Sequence, residues 1–179
     1  MNNIMVDLET LGIKSDSVIL SIGAVYFDEK AITEEFYTTI NMQSCVDYGL
    51  KIYPHTLQWW MNQSDKAKIG LFDSTTSLPD ALMDFSKWVL KGADEVRMWG
   101  NGEDFDNVLL RQAYLSAGFS PLCIPWNFRN NMSYRTLKNL LPHVKMDRIG
   151  EHHNALDDAK SQALHSIQLL KELENGSKK

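Results

Sequence analysis

Asp7 and Glu9 stand two residues apart in the run Val6-Asp7-Leu8-Glu9-Thr10. In an extended segment, side chains two apart point to one face. Two carboxylates on one face repel each other unless something positive sits between them. A divalent cation is the usual solution, and oxygen-only ligands suit Mg²⁺ or Mn²⁺. The bland alternative is a solvated strand end, because carboxylates are usually exposed. Asp106 follows Phe105 at the start of a helical pattern, where an acid also complements the helix dipole. The run His153-Asn154-Ala155-Leu156-Asp157-Asp158 opens the last helical pattern. A residue at the mouth of that helix and one five positions later can lie near the same end of a site. Ala155 between them is small enough for close packing against strands. A histidine alone is more often a surface or core residue than a catalyst. Two local ambiguities stand beside these residues. His152 and Asp157 repeat the His-to-Asp spacing one residue earlier, and Asp104 adds a second acid near Asp106.

The elements that must position these groups follow from periodicity. Asn3 to Leu8 is short, apolar and interrupted by Asp7, as expected of a central strand with a polar exit. Val18 to Phe27 is rich in branched and aromatic residues and predicts a second strand. The short connection from Glu9 to Ser17 favours an antiparallel hairpin. Phe36 to Ile40 predicts a third strand, and Ser44 to Ile69 a set of short helices. Ser77-Leu78-Pro79-Asp80 is a capping box with Pro in the first turn. Leu78, Leu82, Phe85 and Val89 then recur at helical spacing. Glu95 to Trp99 predicts a fourth strand, broken by Gly100-Asn101-Gly102. A helix follows through Leu109 to near Gly118. A fifth strand is expected near Phe128, then a helix from Tyr134 to Leu141, stopped at Pro142. The last helix is expected from about Asn154 to Glu174, with an apolar stripe of Ala155, Ala159, Ala163, Ile167 and Leu170. This is a mixed α/β plan. Each acid falls at an element end: a strand exit and two helix entries. Such ends cluster on one rim of an α/β sheet, where sites form.

The chain of 179 residues has 44% hydrophobic and 23% charged residues, which fits one globular domain over 1–179 with a core of about 4–170. No apolar run approaches membrane-spanning length. The first residues lack the charged and apolar regions of a signal peptide. Cys45 and Cys123 sit in no metal-binding spacing, and a reduced cytoplasm is the natural compartment. A net charge of −5 argues against a passive nucleic-acid binder, which usually shows a basic balance. It leaves a nuclease open, because cations bound by a carboxylate cluster offset the local charge.

Together the motifs resemble the DEDDh branch of the DnaQ-like 3′–5′ exonucleases. The family's Asp-x-Glu is matched by Asp7-Leu8-Glu9, its middle motif by Asn101-Gly102-Glu103-Asp104-Phe105-Asp106, and its last motif by His153 to Asp158. Order and spacing match from about Ile4 to Leu170. Trp59-Trp60 and Trp99-Gly100-Asn101-Gly102 look like the small phage and mycobacterial exoribonuclease-like branch. The motif's alanine, two residues after its histidine, selects His153 and Asp158 over His152 and Asp157. Phe105 likewise selects Asp106 over Asp104. The resemblance implies a ribonuclease-H-like fold: a five-stranded mixed sheet, its second strand antiparallel, flanked by helices. It also implies a two-metal mechanism with two divalent cations, Mg²⁺ or Mn²⁺. Asp7, Glu9, Asp106 and Asp158 would be the ligands and His153 the general base. Residues just after Asp-x-Glu contact the terminal sugar in the family, and Thr10, Leu11 and Gly12 hold those positions. Leu11 could wedge against the last base. One of Trp59 and Trp60 could stack on a base, the other serving the core. Asn101 could bind a phosphate or cap the following helix. Arg129 and Arg135 are candidate phosphate contacts.

The expected activity is metal-dependent removal of nucleoside monophosphates from the 3′ end of single-stranded or 3′-overhanging RNA or DNA. The expected partner is therefore a nucleic acid with a free 3′ end, with no membrane, and the resemblance is compatible with a homodimer. Two alternatives share the fold: a ribonuclease-H-like endonuclease, and a non-catalytic nucleic-acid-binding module.

Overall fold

A computed structural model describes residues 2–92 and 95–176. Strand β1 (Asn2–Thr10) occupies the middle of a five-stranded sheet, whose order is β3-β2-β1-β4-β5. Strands β2 (Ile19–Phe27) and β3 (Ile32–Thr39) follow as successive antiparallel neighbours. Strand β4 (Val96–Gly100) pairs parallel to β1, and β5 (Asn131–Ser133) parallel to β4. Only β2 runs against the others, as the resemblance implies. Two strands differ from the sequence expectation. β3 begins at Ile32, four residues before Phe36, because its exposed Thr33 to Glu35 stretch carries no apolar signal. Phe128 to Asn130 is a 3₁₀ turn, and the fifth strand starts only at Asn131.

Helices cover both faces. Helices α1 (Met42–Asp47), α2 (Pro54–Met61) and α3 (Asp65–Lys68) are the expected short ones. Helix α4 (Leu78–Gly92) begins at the capping box: the Asp80 N–H donates to Ser77 Oγ at 3.3 Å, and the Ser77 hydroxyl donates back to Asp80 at 2.6 Å. Such a cap is worth about 1 kcal/mol. Leu78, Ala81, Leu82, Phe85 and Val89 bury the inner stripe of α4. Together with α5 (Asp106–Ser116), that stripe packs on one face of the sheet, against Ile4, Val6 and Leu8 of β1. Helices α6 (Tyr134–Leu140) and α7 (Ala155–Gly176) pack on the other face, against Met5, Val25 and Trp99. Strand alternation therefore fixes the direction of the acids. Asp7 and Glu9 share the parity of Met5 and face the α7 side.

Two local devices bring α7 down onto that side. Gly23 pairs opposite Asp7 in the sheet. A Cβ on Gly23 would stand 2.2 Å from the backbone of Ala155 and Leu156, so only glycine lets the helix start lie there. The helix start itself is capped by Asn154, whose Oδ1 accepts from the N–H groups of Leu156 (3.1 Å) and Asp157 (3.2 Å).

Candidate active site

The strand exit, the loop after β4 and the mouth of α7 meet on one rim. There Asp7, Glu9 and Asp158 each offer a carboxylate oxygen, and these oxygens lie within 4.8 Å of one another. Asp158 and Glu9 are buried, and Asp7 is half-buried. Asp106 stands beside the triplet, buried at the first residue of α5, and its charge acts on Asp7 and Glu9. The Asn101 N–H donates to Asp106 Oδ2 at 2.9 Å and fixes its orientation. Gln162 lies one turn beyond Asp158 on α7, and its Nε2 donates to Asp7 Oδ1 at 2.8 Å.

These carboxylates are crowded with negative charge. Burial, followed by the charges of Asp106, Glu9 and Asp158, holds the Asp7 carboxyl well above its usual range. Burial and the charges of Asp158 and Asp106 push Glu9 up to about 8. Burial raises Asp106 to about 7, against the opposing pull of backbone donors led by Asn101. Acids so disfavoured as anions are a ligand set for cations. One cationic side chain already answers that demand: the Arg148 guanidinium is paired with Asp158 Oδ1.

His153 sits at the mouth of α7 with φ +64°, the one non-glycine residue with positive φ among the described residues. Left-handed backbone is costly for an L-residue and concentrates at functional positions. The His153 N–H donates to Asp158 Oδ2 at 3.2 Å, which ties the turn to the carboxylate. The imidazole is half-buried, and the Trp59 ring meets it edge-on at 4.8 Å. Burial, then the neighbouring His152, lowers the His153 pKa, while Asp158 opposes them. The imidazole is thus neutral and available as a proton acceptor near neutral pH. Of the competing pair, the acid separates in space while His152 stays beside His153. Asp157 points away to the preceding loop, where its Oδ2 accepts from the Glu151 N–H at 2.8 Å. Asp104 is exposed, whereas Asp106 is buried.

Several expected contact residues have other work. Leu11 has no exposed surface and packs in the main core, so it cannot wedge against a base from that position. Trp60 is core: it is buried, and its Nε1 donates to the Thr10 carbonyl at 2.9 Å, pinning α2 to the exit of β1. Trp59 is 40% exposed and faces the site beside His153. Thr10 and Gly12 are buried, and the Thr10 hydroxyl donates to the Gly12 carbonyl at 2.7 Å. Asn101 caps no helix; its backbone holds Asp106 and accepts from the Arg135 N–H at 2.8 Å. Arg135 is thereby on the rim, next to Gly102. Arg129 precedes β5, whose first residue pairs with Met98, and so lies toward the opposite end of the sheet. A surface cavity of about 900 Å³, lined by Arg111, Leu122, Trp126 and Phe128, includes none of the four acids in its walls. Sequence reasoning missed Gln162 and Arg148. The signal for Gln162 was available, since it is four residues after Asp158 on one helix face.

The sequence matches the family described as the 3′–5′ exoribonuclease Rv2179c-like domain over residues 2–170. The chain belongs to that family. It is accordingly a 3′–5′ exonuclease. The fold agrees. The nuclease domain of 3′hExo, a DEDDh family member solved bound to rAMP, is similar with a TM-score of 0.66 and 16% identity, covering 96% of this chain and 92% of that one. Exonuclease I from Methylocaldum szegediense gives a TM-score of 0.68 at 11% identity, over 96% of this chain and 40% of that one. Exonuclease X in complex with 5′ overhanging duplex DNA gives 0.59 at 15% identity, over 95% and 92%. No curated protein matches the chain in sequence. Among the described residues, no helix is long and apolar enough to cross a membrane.

Proposed function

We propose that this exonuclease is metal-dependent, uses two divalent cations, Mg²⁺ or Mn²⁺, and releases nucleoside monophosphates from the 3′ end of RNA. The observation that carries the metal dependence is the convergence of Asp7, Glu9 and Asp158 within 4.8 Å, with Asp106 beside them. An all-oxygen donor set whose anions are disfavoured without a counter-charge fits hard divalent cations. Asp7, Glu9, Asp106 and Asp158 would be the residues that hold them. When bound, the cations stabilise charge on the attacking and leaving oxygens of the phosphodiester. His153 takes the proton of the attacking water on its neutral imidazole. Gln162 keeps Asp7 oriented, and the Trp59 face is the surface on which a terminal base stacks. Asn101 and Arg135 share that rim, which supports a role for them in meeting a phosphate. Thr10 and Gly12 shape the floor beneath the terminal sugar.

The family description supports RNA as substrate, while relatives of the same fold include one solved with DNA. The single sheet that organises the described residues supports one exonuclease domain. The free Cys45 and Cys123 are compatible with the reducing cytoplasm as its compartment.

The test is a purified protein incubated with end-labelled single-stranded RNA and DNA, with and without Mn²⁺. A 5′ label should give a ladder of shortening products, and a 3′ label should appear at once as mononucleotide, only with the cation. RNA should be degraded faster than DNA. Degradation of a closed circular strand, or of a 3′-blocked strand as fast as a free one, would point to an endonuclease instead.

A further inference from the structure

His152 is the histidine that the catalytic register leaves over, yet its ring lies against that of His153, with centroids 3.8 Å apart and planes tilted by 37°. Neighbouring side chains in an extended chain point to opposite sides. The left-handed turn at His153 undoes that alternation and brings the two imidazoles together above Asp158. His152, His153 and Asp158 each present a ligand atom, and these atoms lie within 4.8 Å of one another. His152 is exposed and Asp158 buried, so the group opens to solvent on one side and is anchored in the protein on the other. The edge of Trp59 at 4.8 Å limits where the His153 ring can turn.

We propose that His152, His153 and Asp158 form a second metal site, selective for a borderline ion such as Zn²⁺, and that its occupation switches the nuclease off. Two imidazoles and one carboxylate are the ligands that zinc takes in three-residue sites, with a water completing the tetrahedron. Mg²⁺, a hard ion, prefers the oxygen cluster next door. Zinc bonds of about 2.0–2.1 Å require ligand atoms roughly 3.3 Å apart. The rings must therefore close by on the order of an ångström, which the exposed position of His152 permits. Arg148 must release Asp158 at the same time. The inhibitory half of the proposal rests on the function proposed above. A zinc ion here draws Asp158 away from Asp7 and Glu9. It also binds the imidazole lone pair with which His153 would accept a proton. Both losses come from one ion, and neither needs a change in the rest of the fold.

The experiment uses the metal-stripped full chain, with Zn²⁺ binding measured by calorimetry and Co²⁺ as a visible-absorption probe of tetrahedral coordination. The wild type should bind Zn²⁺ and show intense Co²⁺ bands that zinc abolishes. His152→Ala should bind Zn²⁺ at least about tenfold more weakly, since loss of even an outer partner commonly costs that much. It should lose the Co²⁺ bands and keep Mn²⁺ affinity within about twofold, as expected where Mn²⁺ uses only the oxygen ligands. With saturating Mn²⁺ and labelled RNA, Zn²⁺ should inhibit the wild type, and about tenfold more should be needed to inhibit His152→Ala to the same fraction of its own zinc-free rate. Equal zinc affinity and equal Co²⁺ spectra in the two proteins would overturn the site and place zinc among the acids. The two readings fail separately. Zinc binding that depends on His152 in a chain without Mn²⁺-dependent hydrolysis keeps the site and removes the function. Robust hydrolysis with zinc binding indifferent to His152 does the reverse.

Discussion

His153 is the proposed general base, and its neighbours define what it can do. It contacts Trp59 and His152 through its ring and Asp158 through its backbone. If it accepts the proton as proposed, and is not a ligand for the proposed cations, His153→Ala should reduce turnover by about a hundred- to ten-thousand-fold. Mn²⁺ affinity should be retained, and His152→Ala should leave turnover near wild type in zinc-free buffer. Near-normal turnover in His153→Ala, with loss in His152→Ala, would move the catalytic pair to His152 and Asp157. The pH profile reads the same residue. A base must be neutral to act, so kcat/KM should fall as pH drops through the His153 pKa. Burial and His152 already lower that pKa, and bound cations nearby lower it further. The acid limb should therefore have its midpoint below the ordinary histidine value of about 6.5. A midpoint above that value, removed by His153→Ala, would show that a negative neighbour dominates the imidazole.

At the scale of elements, the site depends on how closely α7 approaches the sheet. β1 delivers Asp7 and Glu9 on the α7 side by strand alternation, and α7 delivers Asp158 and Gln162 one turn apart. Their meeting requires the helix start to lie on Gly23 of β2, which pairs with Asp7. The added methyl of Gly23→Ala meets backbone, which cannot rotate aside as a side chain can. The expected cost is about 1–3 kcal/mol of stability. Mn²⁺ affinity should fall with it, because Asp158 is pushed off the other ligands. Chemical denaturation and calorimetry measure the two effects. A destabilised variant that binds Mn²⁺ normally would show that α7 can reposition Asp158 on its own. The loop ahead of α7 is held in parallel: Ser161 Oγ accepts from the Ile149 N–H at 3.0 Å, and Asp157 holds Glu151. The loop bearing Arg148 and both histidines is thus anchored to the helix that bears Asp158.

For the whole molecule, the carboxylate cluster is an electrostatic liability that a bound cation would relieve. Glu9 lies at about 8 and Asp106 at about 7, both above the ordinary carboxylate range, and Asp7 is raised as well. A carboxyl with a higher pKa folded than unfolded contributes stability that is complete below its unfolded pKa. That stability is lost as pH rises through the folded value. The metal-free protein should therefore lose thermal stability between about pH 5 and pH 8.5. Mn²⁺ should restore it most strongly at the alkaline end, where the ligands are ionised and binding favours the folded state. Glu9→Gln should raise the Tm of the metal-free protein at pH 8.5 and blunt the Mn²⁺ effect. A Tm of the metal-free wild type that is flat with pH, or that rises over this range, would contradict the burial of these acids. The net charge of −5 is consistent with such a design, since bound cations offset negative charge where the substrate must approach.

The convergence of Asp7, Glu9, Asp106 and Asp158 was foreshadowed in the sequence because Asp-x-Glu, Phe-Asp and His-to-Asp spacings are local. The central strand, the capped helix from Leu78 and the α7 stripe were equally legible, because periodicity records which face is buried. The fifth strand, expected near Phe128, begins just after it at Asn131, and at three residues β5 is too short to show a periodicity that would fix its bounds. Leu11 and Trp60 carry no local mark separating core from contact surface; only packing against the exit of β1 made them core. The choice of Asp158 over Asp157 also became physical in three dimensions, where adjacent residues on a helix point about 100° apart. One enters the cluster, and the other holds a loop. Gln162 on Asp7, 155 positions apart in the chain, and Arg148 on Asp158 depend on the approach of α7 to the sheet. Sequence spacing determines which groups exist on each element and which face they share. Only the packing of one element on another, through Gly23 and Ala155, decides which of those faces meet.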